Sequence, residues 1–311
     1  VATRMRDEAR VLQSLRHPNI VGVHALLDYA GRPVIEMEPL QGVSLATVLR
    51  ERCRGGVPAV IALTIGTAVA SALDYAYNAP VARGDKPLHV VHRDVNPANV
   101  VLTIQGAVKL IDFGIAKSHF DERESKSLYM VPGHLGFVPP ERMEGAEDTP
   151  AVDVYALGLT LFQALSGKTL LIGADPDAHA ERVGRQLQHL VPEGLVDSAQ
   201  QRLRDLLLAM THPDPAQRPS WSDVGSTLDA LLADAPETPS LADWATEHVL
   251  PCYEVKLQAS DGNSRDVSEV QFLETDDPVA DTDEIALLGP DEALRELRVF
   301  LGAPDWERRG A

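Results

Sequence analysis

The sequence contains few of the residues that define several common protein classes. Its 311 residues include two cysteines, Cys53 and Cys252, which are too few for the disulfide framework of a small secreted protein. We therefore expect a reducing, cytoplasmic location. The ten histidines show no H-E-x-x-H pattern and no cysteine-rich zinc spacing, so no structural metal site is predicted.

Positive charge is scarce as well. The chain has 28 Lys and Arg against 46 Asp and Glu, and the net charge of −18 argues against nucleic acid or an anionic membrane as a partner. Residues 234–311 hold 6 of the basic and 19 of the acidic residues, so −13 of the net charge lies there. We expect this acidic extension to be largely disordered, because it has too little apolar surface to form a core.

Long uncharged runs are limited to one stretch, "GGVPAVIALTIGTAVASAL" at 55–73. A membrane-spanning helix needs about 20 predominantly apolar residues, and this run contains Gly, Thr and Ser and continues into Asp74. Pro58 suits the first turn of a helix. The pattern predicts a helix over 58–78 buried in a protein core, and no membrane segment in this chain.

A glycine-rich G-x-G-x-x-G phosphate loop is missing from the whole sequence. The chain opens on Val1, without an initiator Met or a signal-like region, and enters helical periodicity over 3–16 at once. We expect the natural N-terminus to lie upstream of this sequence.

Along the rest of the chain, strand patterns come first and helix patterns follow, which predicts an α+β fold. Strands are predicted near 21–28 and 33–38, and two short hairpins over 90–111. Helices are predicted after Gly42 with Ser44 as the cap, and over 153–167, 198–211 and 221–233. Residues 113–150 lack periodicity, which is typical of a long functional loop.

Three polar residues stand in turns between apolar runs in "VVHRDVNPANVVLTIQGAVKLIDFGIAK", residues 90–117: Asp94, Asn99 and Asp112. A buried carboxylate costs several kcal/mol unless a partner compensates its charge. The pattern therefore indicates either partners elsewhere in the fold or a cation that arrives with a ligand.

The triplet "HRD" at 92–94, with Asn99 five positions after Asp94 and "DFG" at 112–114, resembles the catalytic core of bacterial, eukaryotic-like Ser/Thr protein kinases. The resemblance covers residues 3–233. It extends to the following segments: "EARVLQSLRHPNIV", "VPPE" at 138–141, "DVYALG" and Arg218 in "DPAQRP".

The resemblance implies a two-lobe protein kinase-like fold. Residues 1–40 would form a partial N-lobe, with helix C and the last strands, and the hinge. Residues 41–233 would form a mainly helical C-lobe, and 234–311 the acidic extension. The implied activity is ATP-dependent transfer of the γ-phosphoryl group to protein Ser/Thr hydroxyls in signal transduction.

The resemblance also assigns roles to single residues. Asp94 would accept the proton of the substrate hydroxyl, and Asp112 and Asn99 would hold Mg²⁺. Glu8 would pair with a lysine on an upstream strand. The residues implied to line the adenine pocket are Met37, as gatekeeper, Glu38 and Leu40 in the hinge, and Val101 in the floor.

Further positions match the family's structural residues. Glu141 and Arg218 would form a buried ion pair, and Asp153 would anchor the backbone of the catalytic loop. The stacked apolar spine would contain Leu12, Val23, His92 and Phe113.

The sequence departs from the family pattern at the substrate site. Besides the missing glycine-rich loop and strand lysine, Asn96, which we count among the candidate catalytic residues together with Asp94, Asn99, Asp112 and Glu8, stands where Ser/Thr kinases usually have a catalytic lysine. His134 replaces the small hydroxyl residue expected after Gly133. A bacterial subgroup with loops such as "HRDVSPxNV" shows a similar loss of the lysine, and a protonated His134 would restore part of the positive charge.

Arg93 precedes the catalytic Asp, as in kinases that are activated by phosphorylation. Ser125, Ser127 and Tyr129 are candidate acceptors, and their phosphate would pair with Arg93.

Two alternatives stay open. The chain could be a pseudokinase that binds nucleotide or partners without transferring phosphate, which the changes at Asn96 and His134 favour. It could also be a small-molecule kinase of related fold, which "DFG", "VPPE" and Arg218 argue against.

Overall fold

The computed structural model describes residues 12–29, 32–80, 87–113, 137–143, 145–146, 148–168, 176–236, 239–260 and 270–272. They belong to two compact units. Unit one contains Val1–Ser14, Gly22–Leu40 and Tyr253–Ala311, and unit two contains Leu15–Val21 and Gln41–Cys252. The predicted boundary at residue 40 coincides with the passage from unit one to unit two; the three predicted domains themselves stay a prediction.

Unit one contains an antiparallel sheet of three strands in the order β2-β1-β6. Strand β1 is Val23–Tyr29, β2 is Arg32–Met37 and β6 is Val270–Phe272. Successive side chains of a strand point to opposite faces, and Leu27 is buried against Ala25 and Val34. The two strands predicted before residue 40 are confirmed.

The main segment of unit two, which begins at Gln41, starts with strand β3, Gly42–Ser44, and helix α1, Leu45–Glu51. The Ser44 side chain accepts a hydrogen bond from the Thr47 N–H at 3.3 Å, so the predicted cap is confirmed. The sequence did not predict β3, which forms because it pairs with β4, Val100–Thr103, about sixty residues later in the chain.

The prediction of two hairpins over 90–111 is wrong in its first half. Only β4 and β5, Val108–Leu110, form a hairpin, in a sheet of order β3-β4-β5. Residues 91–99 form an irregular loop in which the loop's own side chains make several of the hydrogen bonds to the backbone. These side-chain hydrogen bonds satisfy backbone N–H and C=O groups that would bind the opposite strand if the segment formed a β-hairpin.

The core of unit two is helical. Helix α2, Ala59–Asn78, packs against α4, Pro150–Ser166, and α7, Trp221–Ala233. It is long and apolar enough to cross a membrane, yet most of its apolar residues are buried inside unit two, as predicted. Further α-helices in the described part of the chain before residue 240 are α3, Pro140–Met143, α5, Pro176–Gln188, and α6, Asp197–Met210. The sequence did not predict α3 or α5.

The extension begins with a helix, α8, Leu241–Ser260, which the expectation of a largely disordered segment missed. Residues 241–252 of α8 belong to unit two, where Trp244 and Val249 are buried. Gly106, in the β4–β5 turn with φ +82°, would place a Cβ 2.6 Å from Ala242 Cα, so only glycine fits there. The rest of the extension, apart from β6, lies outside the described residues.

We predict that Trp244→Ala lowers the free energy of unfolding by about 3–5 kcal/mol, because a large side chain that is 3% exposed would leave a cavity. Chemical denaturation of wild type and Trp244→Ala measures the difference in their free energies of unfolding. Val255→Ala on the same helix is the control, since Val255 is 66% exposed and should change stability by less than about 0.5 kcal/mol. Equal stability of wild type and Trp244→Ala would contradict the packing of α8.

Candidate active site

The loop of residues 91–99 is closed by two asparagine side chains. Asn96 Nδ2 donates to the Asp94 carbonyl at 2.9 Å, and Asn96 Oδ1 accepts from the Ala98 N–H at 2.9 Å. Asn99 Nδ2 donates to the same carbonyl at 2.8 Å and to Asp94 Oδ2 at 3.0 Å. Val95 is fully buried beneath them. These bonds fix both the backbone and the carboxylate of Asp94.

The end of β5 lies directly beside this loop. The Ile111 N–H donates to the Asn99 carbonyl at 3.0 Å, and the His92 and Phe113 rings lie 4.5 Å apart between centroids. Asp112, between these two contacts, is exposed and has φ +56°. The structure therefore brings together the segments that carry Asp94, Asn99 and Asp112.

His92 connects the two segments and is fully buried. Its Nδ1 accepts a hydrogen bond from the Asp94 N–H at 3.3 Å, so the ring proton is on Nε2. Nε2 then donates to the Ile111 carbonyl at 3.0 Å. This neutral tautomer satisfies both nitrogens inside the core.

Asp153, near the start of α4, anchors the loop from below. Its Oδ2 accepts from the His92 N–H at 2.6 Å and its Oδ1 from the Arg93 N–H at 2.7 Å. Burial raises the pKa of this carboxyl to about 7, an effect that the two N–H bonds and Arg142 oppose and Asp148 reinforces. The anchoring role predicted for Asp153 agrees with these contacts.

Asn99 and Asp112 offer oxygen ligands for a hard cation. No described residue donates a hydrogen bond to Asn99 Oδ1, whose amide nitrogen is bound to Asp94. The described residues contain no group of three or more His, Cys, Asp or Glu side chains that could hold a metal. An amide and a carboxylate fit Mg²⁺, which commonly binds through one or two carboxylates together with ligand phosphates.

Asn96, predicted among the catalytic residues, is 3% exposed and uses both amide atoms inside the loop. Its contacts show that it shapes the loop. A direct part in phosphate transfer stays a prediction.

The residues predicted to line a nucleotide pocket divide between the units. Met37, Glu38 and Leu40 belong to unit one, where the Glu38 carboxylate accepts the Gly22 N–H at 2.9 Å. Val101 belongs to unit two and is buried in β4. The predicted residues that lie outside the described part of the chain are Glu8, Ser125, Ser127, Tyr129, Gly133 and His134.

The predicted ion pair between Glu141 and Arg218 is confirmed. Arg218 Nη1 and Nη2 lie 2.6 and 2.8 Å from the two carboxylate oxygens of Glu141, and the Arg218 guanidinium stacks 4.8 Å above the Tyr155 ring. The remaining Arg218 donors bind backbone carbonyls, including that of Ala151 at the start of α4. A buried bidentate pair of this kind fixes α3 to the helical core.

Two further residues beside the loop, Arg142 and Asp148, were not predicted from the sequence. Arg142 Nη1 donates to the Arg93 carbonyl at 2.9 Å, and Asp148 forms ion pairs with both arginines. Asp148 stands in the polar segment "GAEDTP", which resembles an ordinary exposed turn. No local signal distinguishes it, because its partners lie elsewhere in the chain.

Comparison with known proteins gives a consistent result. Residues 2–227 match the family model described as "Protein kinase domain". The Myxococcus xanthus protein named tyrosine-protein kinase MasK is 39% identical over 163 residues, 52% of this chain and 25% of that protein. Serine/threonine-protein kinase PknF of Mycobacterium tuberculosis is 34% identical over 191 residues, 60% of this chain and 37% of that protein.

Solved structures agree with the sequence relatives. The crystal structure of the M. tuberculosis PknI kinase domain is 30% identical, with a TM-score of 0.52, and the match covers 75% of this chain and 78% of that one. The predicted α+β, protein kinase-like fold is therefore confirmed. The chain spans between 25% and 37% of the length of the first three curated relatives it matches.

We predict that Asp153 makes stability pH-dependent. Its pKa is about 7 in the folded protein and near 3.8 in the unfolded chain, so between these values the folded state alone binds the proton. The contribution is complete below pH 3.8 and is lost as the pH rises through about 7. The free energy of unfolding of wild type, measured at pH 5, 6, 7 and 8, should fall more steeply than that of Asp153→Asn. Parallel curves for the two proteins would contradict the raised pKa.

Proposed function

Because this chain belongs to the protein kinase family, we propose that it is an ATP-dependent kinase that transfers the γ-phosphoryl group to serine and threonine hydroxyls of proteins. Members of this family generally use ATP and a divalent metal ion. The observation that carries the proposal is the Asp94–Asn99 hydrogen bond beside Ile111 and Asp112. This contact supports a single active site in which Asp94 acts as the base and Asn99 and Asp112 act as the metal ligands.

Asp94 is the proposed proton acceptor. Its carboxylate is half-buried, so a substrate hydroxyl can reach it, and Asn99 Nδ2 orients one of its oxygens. His92 and Asp153 hold the backbone on its N-terminal side. A base held in this way would accept the hydroxyl proton as the oxygen approaches the γ-phosphorus.

Asn99 and Asp112 are the proposed ligands of Mg²⁺. The Asn99 amide would turn its oxygen to the ion while its nitrogen stays bound to Asp94. Bound Mg²⁺ would neutralise charge on the β- and γ-phosphates during transfer. This arrangement links metal binding and base orientation through a single side chain.

The nucleotide site rests on residues proposed from the family resemblance. By that resemblance, Met37 would be the gatekeeper, Glu38 and Leu40 would offer hinge backbone groups, and Val101 would form part of the adenine floor. Glu8 would pair with a lysine of a neighbouring strand. ATP binding by the full-length gene product tests these assignments.

The acceptor residue and the partners are part of the proposal. PknF of M. tuberculosis is named a serine/threonine-protein kinase, whereas MasK of Myxococcus xanthus is named a tyrosine-protein kinase. We propose protein Ser/Thr acceptors, no nucleic acid partner and a cytoplasmic location of the catalytic domain. Phosphoamino acid analysis of a labelled protein substrate distinguishes serine and threonine from tyrosine.

A second function, nucleotide or partner binding without transfer, is favoured by one observation. Asn96 stands at the position of the usual catalytic lysine and both its amide atoms are engaged within the loop. The described contacts therefore supply no positive charge from this position to a γ-phosphate. The intact Asp94, Asn99 and Asp112 favour the kinase.

We predict that Asp94→Asn lowers the kcat of phosphate transfer at least about 100-fold, because the amide cannot accept the hydroxyl proton. Transfer of labelled phosphate from ATP to a protein substrate measures the effect. Asp229→Asn, an equivalent change at an exposed site on α7, should leave kcat unaltered. Strong transfer by the Asp94 variant would exclude the proposed role.

We predict that ATP with Mg²⁺ raises the Tm of the wild-type protein and that Asp112→Asn loses most of this increase, since the amide carries no charge for the metal. Thermal unfolding with ATP, with and without Mg²⁺, measures both. A full Tm increase in the Asp112 variant would remove this residue from the metal site. A Tm increase in wild type together with no transfer would establish the binding function instead.

A further inference from the structure

Arg93, the residue before the proposed base, is held at three points. Its N–H donates to Asp153 Oδ1 at 2.7 Å, and its carbonyl accepts from Arg142 Nη1 at 2.9 Å. Its guanidinium Nε lies 2.6 Å from Asp148 Oδ2, an ion pair in which the N–H does not point at the oxygen. The main chain and the side chain are therefore both fixed.

The backbone of Arg93 needs this support. Its φ of +69° lies in the left-handed region, which is strained for a residue other than glycine. Such a conformation persists only where the surroundings determine it. Because Arg93 and Asp94 share a peptide unit, a relaxed Arg93 would displace the proposed base.

Asp148 is the central group of this arrangement. Its Oδ1 lies 2.8 Å from Arg142 Nε, while its other oxygen contacts Arg93. The side chains of Arg93, Asp148 and Arg142 are 22%, 16% and 7% exposed, so solvent screens their charges only partly. Without the Asp148 carboxylate, two guanidinium groups would face each other beside the loop.

This geometry changes the interpretation of Arg93. The sequence predicted a phosphate on Ser125, Ser127 or Tyr129 as its partner. In the described structure Arg93 Nε already has a carboxylate of the polypeptide, Asp148, as its partner. The same carboxylate binds Arg142, whose neighbour Glu141 is fixed by Arg218.

We propose that Asp148 is a positioning residue that fixes Arg93 and the catalytic loop without phosphorylation of the segment containing Ser125, Ser127 and Tyr129. This inference rests on the proposed kinase function. Asp148 itself touches neither substrate nor nucleotide in the proposal. It acts through Arg93 on the orientation of Asp94.

The first experiment uses wild-type protein expressed together with a phosphatase and shown by intact mass to carry no phosphate. Its initial kcat should lie within about 3-fold of that of the same protein after autophosphorylation. A phosphate-free protein that is inactive until phosphorylated would overturn the proposal. This comparison needs no variant, so it decides even if substitutions at Asp148 prevent folding.

The second experiment compares phosphate-free Asp148→Asn and Asp148→Glu. The amide should lower kcat about 10- to 100-fold and change the KM for ATP less than about 3-fold, because the loop and not the nucleotide site is displaced. Glu, which keeps the charge, should restore most of kcat. Asp234→Asn is the matched control, since Asp234 pairs with Arg202 at 2.6 Å on the surface. A folded Asp148→Asn with wild-type kcat would overturn the proposal.

A third measurement separates this inference from the proposed function. If wild type transfers no phosphate in either state, the kinase proposal fails while the positioning role is still measured by amide hydrogen exchange. The peptide containing 91–99 should exchange faster in Asp148→Asn than in wild type, with protection restored in Asp148→Glu. Equal exchange in all three proteins would overturn the role of Asp148.

Discussion

The buried carboxylate of Asp153 determines the geometry of the site. It accepts the N–H groups of two consecutive residues, His92 and Arg93, and so holds the loop against the helical core. Leaving those two N–H groups unpaired would cost about 1–3 kcal/mol each. This anchor fixes the conformation of Arg93, the orientation of His92 and the placement of Asp94. His92 and Arg93 are hydrogen-bonded to Asp153 directly, and Asp94 is the next residue in the chain.

Near this anchor, the side chains of Asn99 and His92 each use their two polar atoms differently. Asn99 binds Asp94 through its nitrogen and leaves its oxygen without a described donor, and His92 accepts from the catalytic loop while donating to Ile111. Such shared use couples the base, the metal ligands and the end of β5. A change in any one of them is therefore expected to affect the others, as in other buried polar networks.

Sequence patterns predicted much of this arrangement but not all of it. Helices α2 and α4 are apolar over most of their length, α6 and α7 have one apolar face, and Asp94, Asn99 and Asp112 stand at a specific spacing. Three features carry no local signal: β3 depends on a partner sixty residues away, α8 contains Pro251 and many polar residues, and Asp148 depends on two distant arginines. Tertiary contacts, which a linear pattern does not contain, decide all three.

Helix α8 has a consequence for how the domain can be isolated. The family match ends at residue 227, inside α7, whereas Trp244 and Val249 of α8 are buried in the same unit. A recombinant fragment that ends at residue 227 would lack α8, and the apolar surface of unit two that Trp244 and Val249 cover would be exposed to solvent. Exposed apolar surface of this kind favours self-association, so poor yield of a trimmed fragment would reflect the cut and not the catalytic machinery.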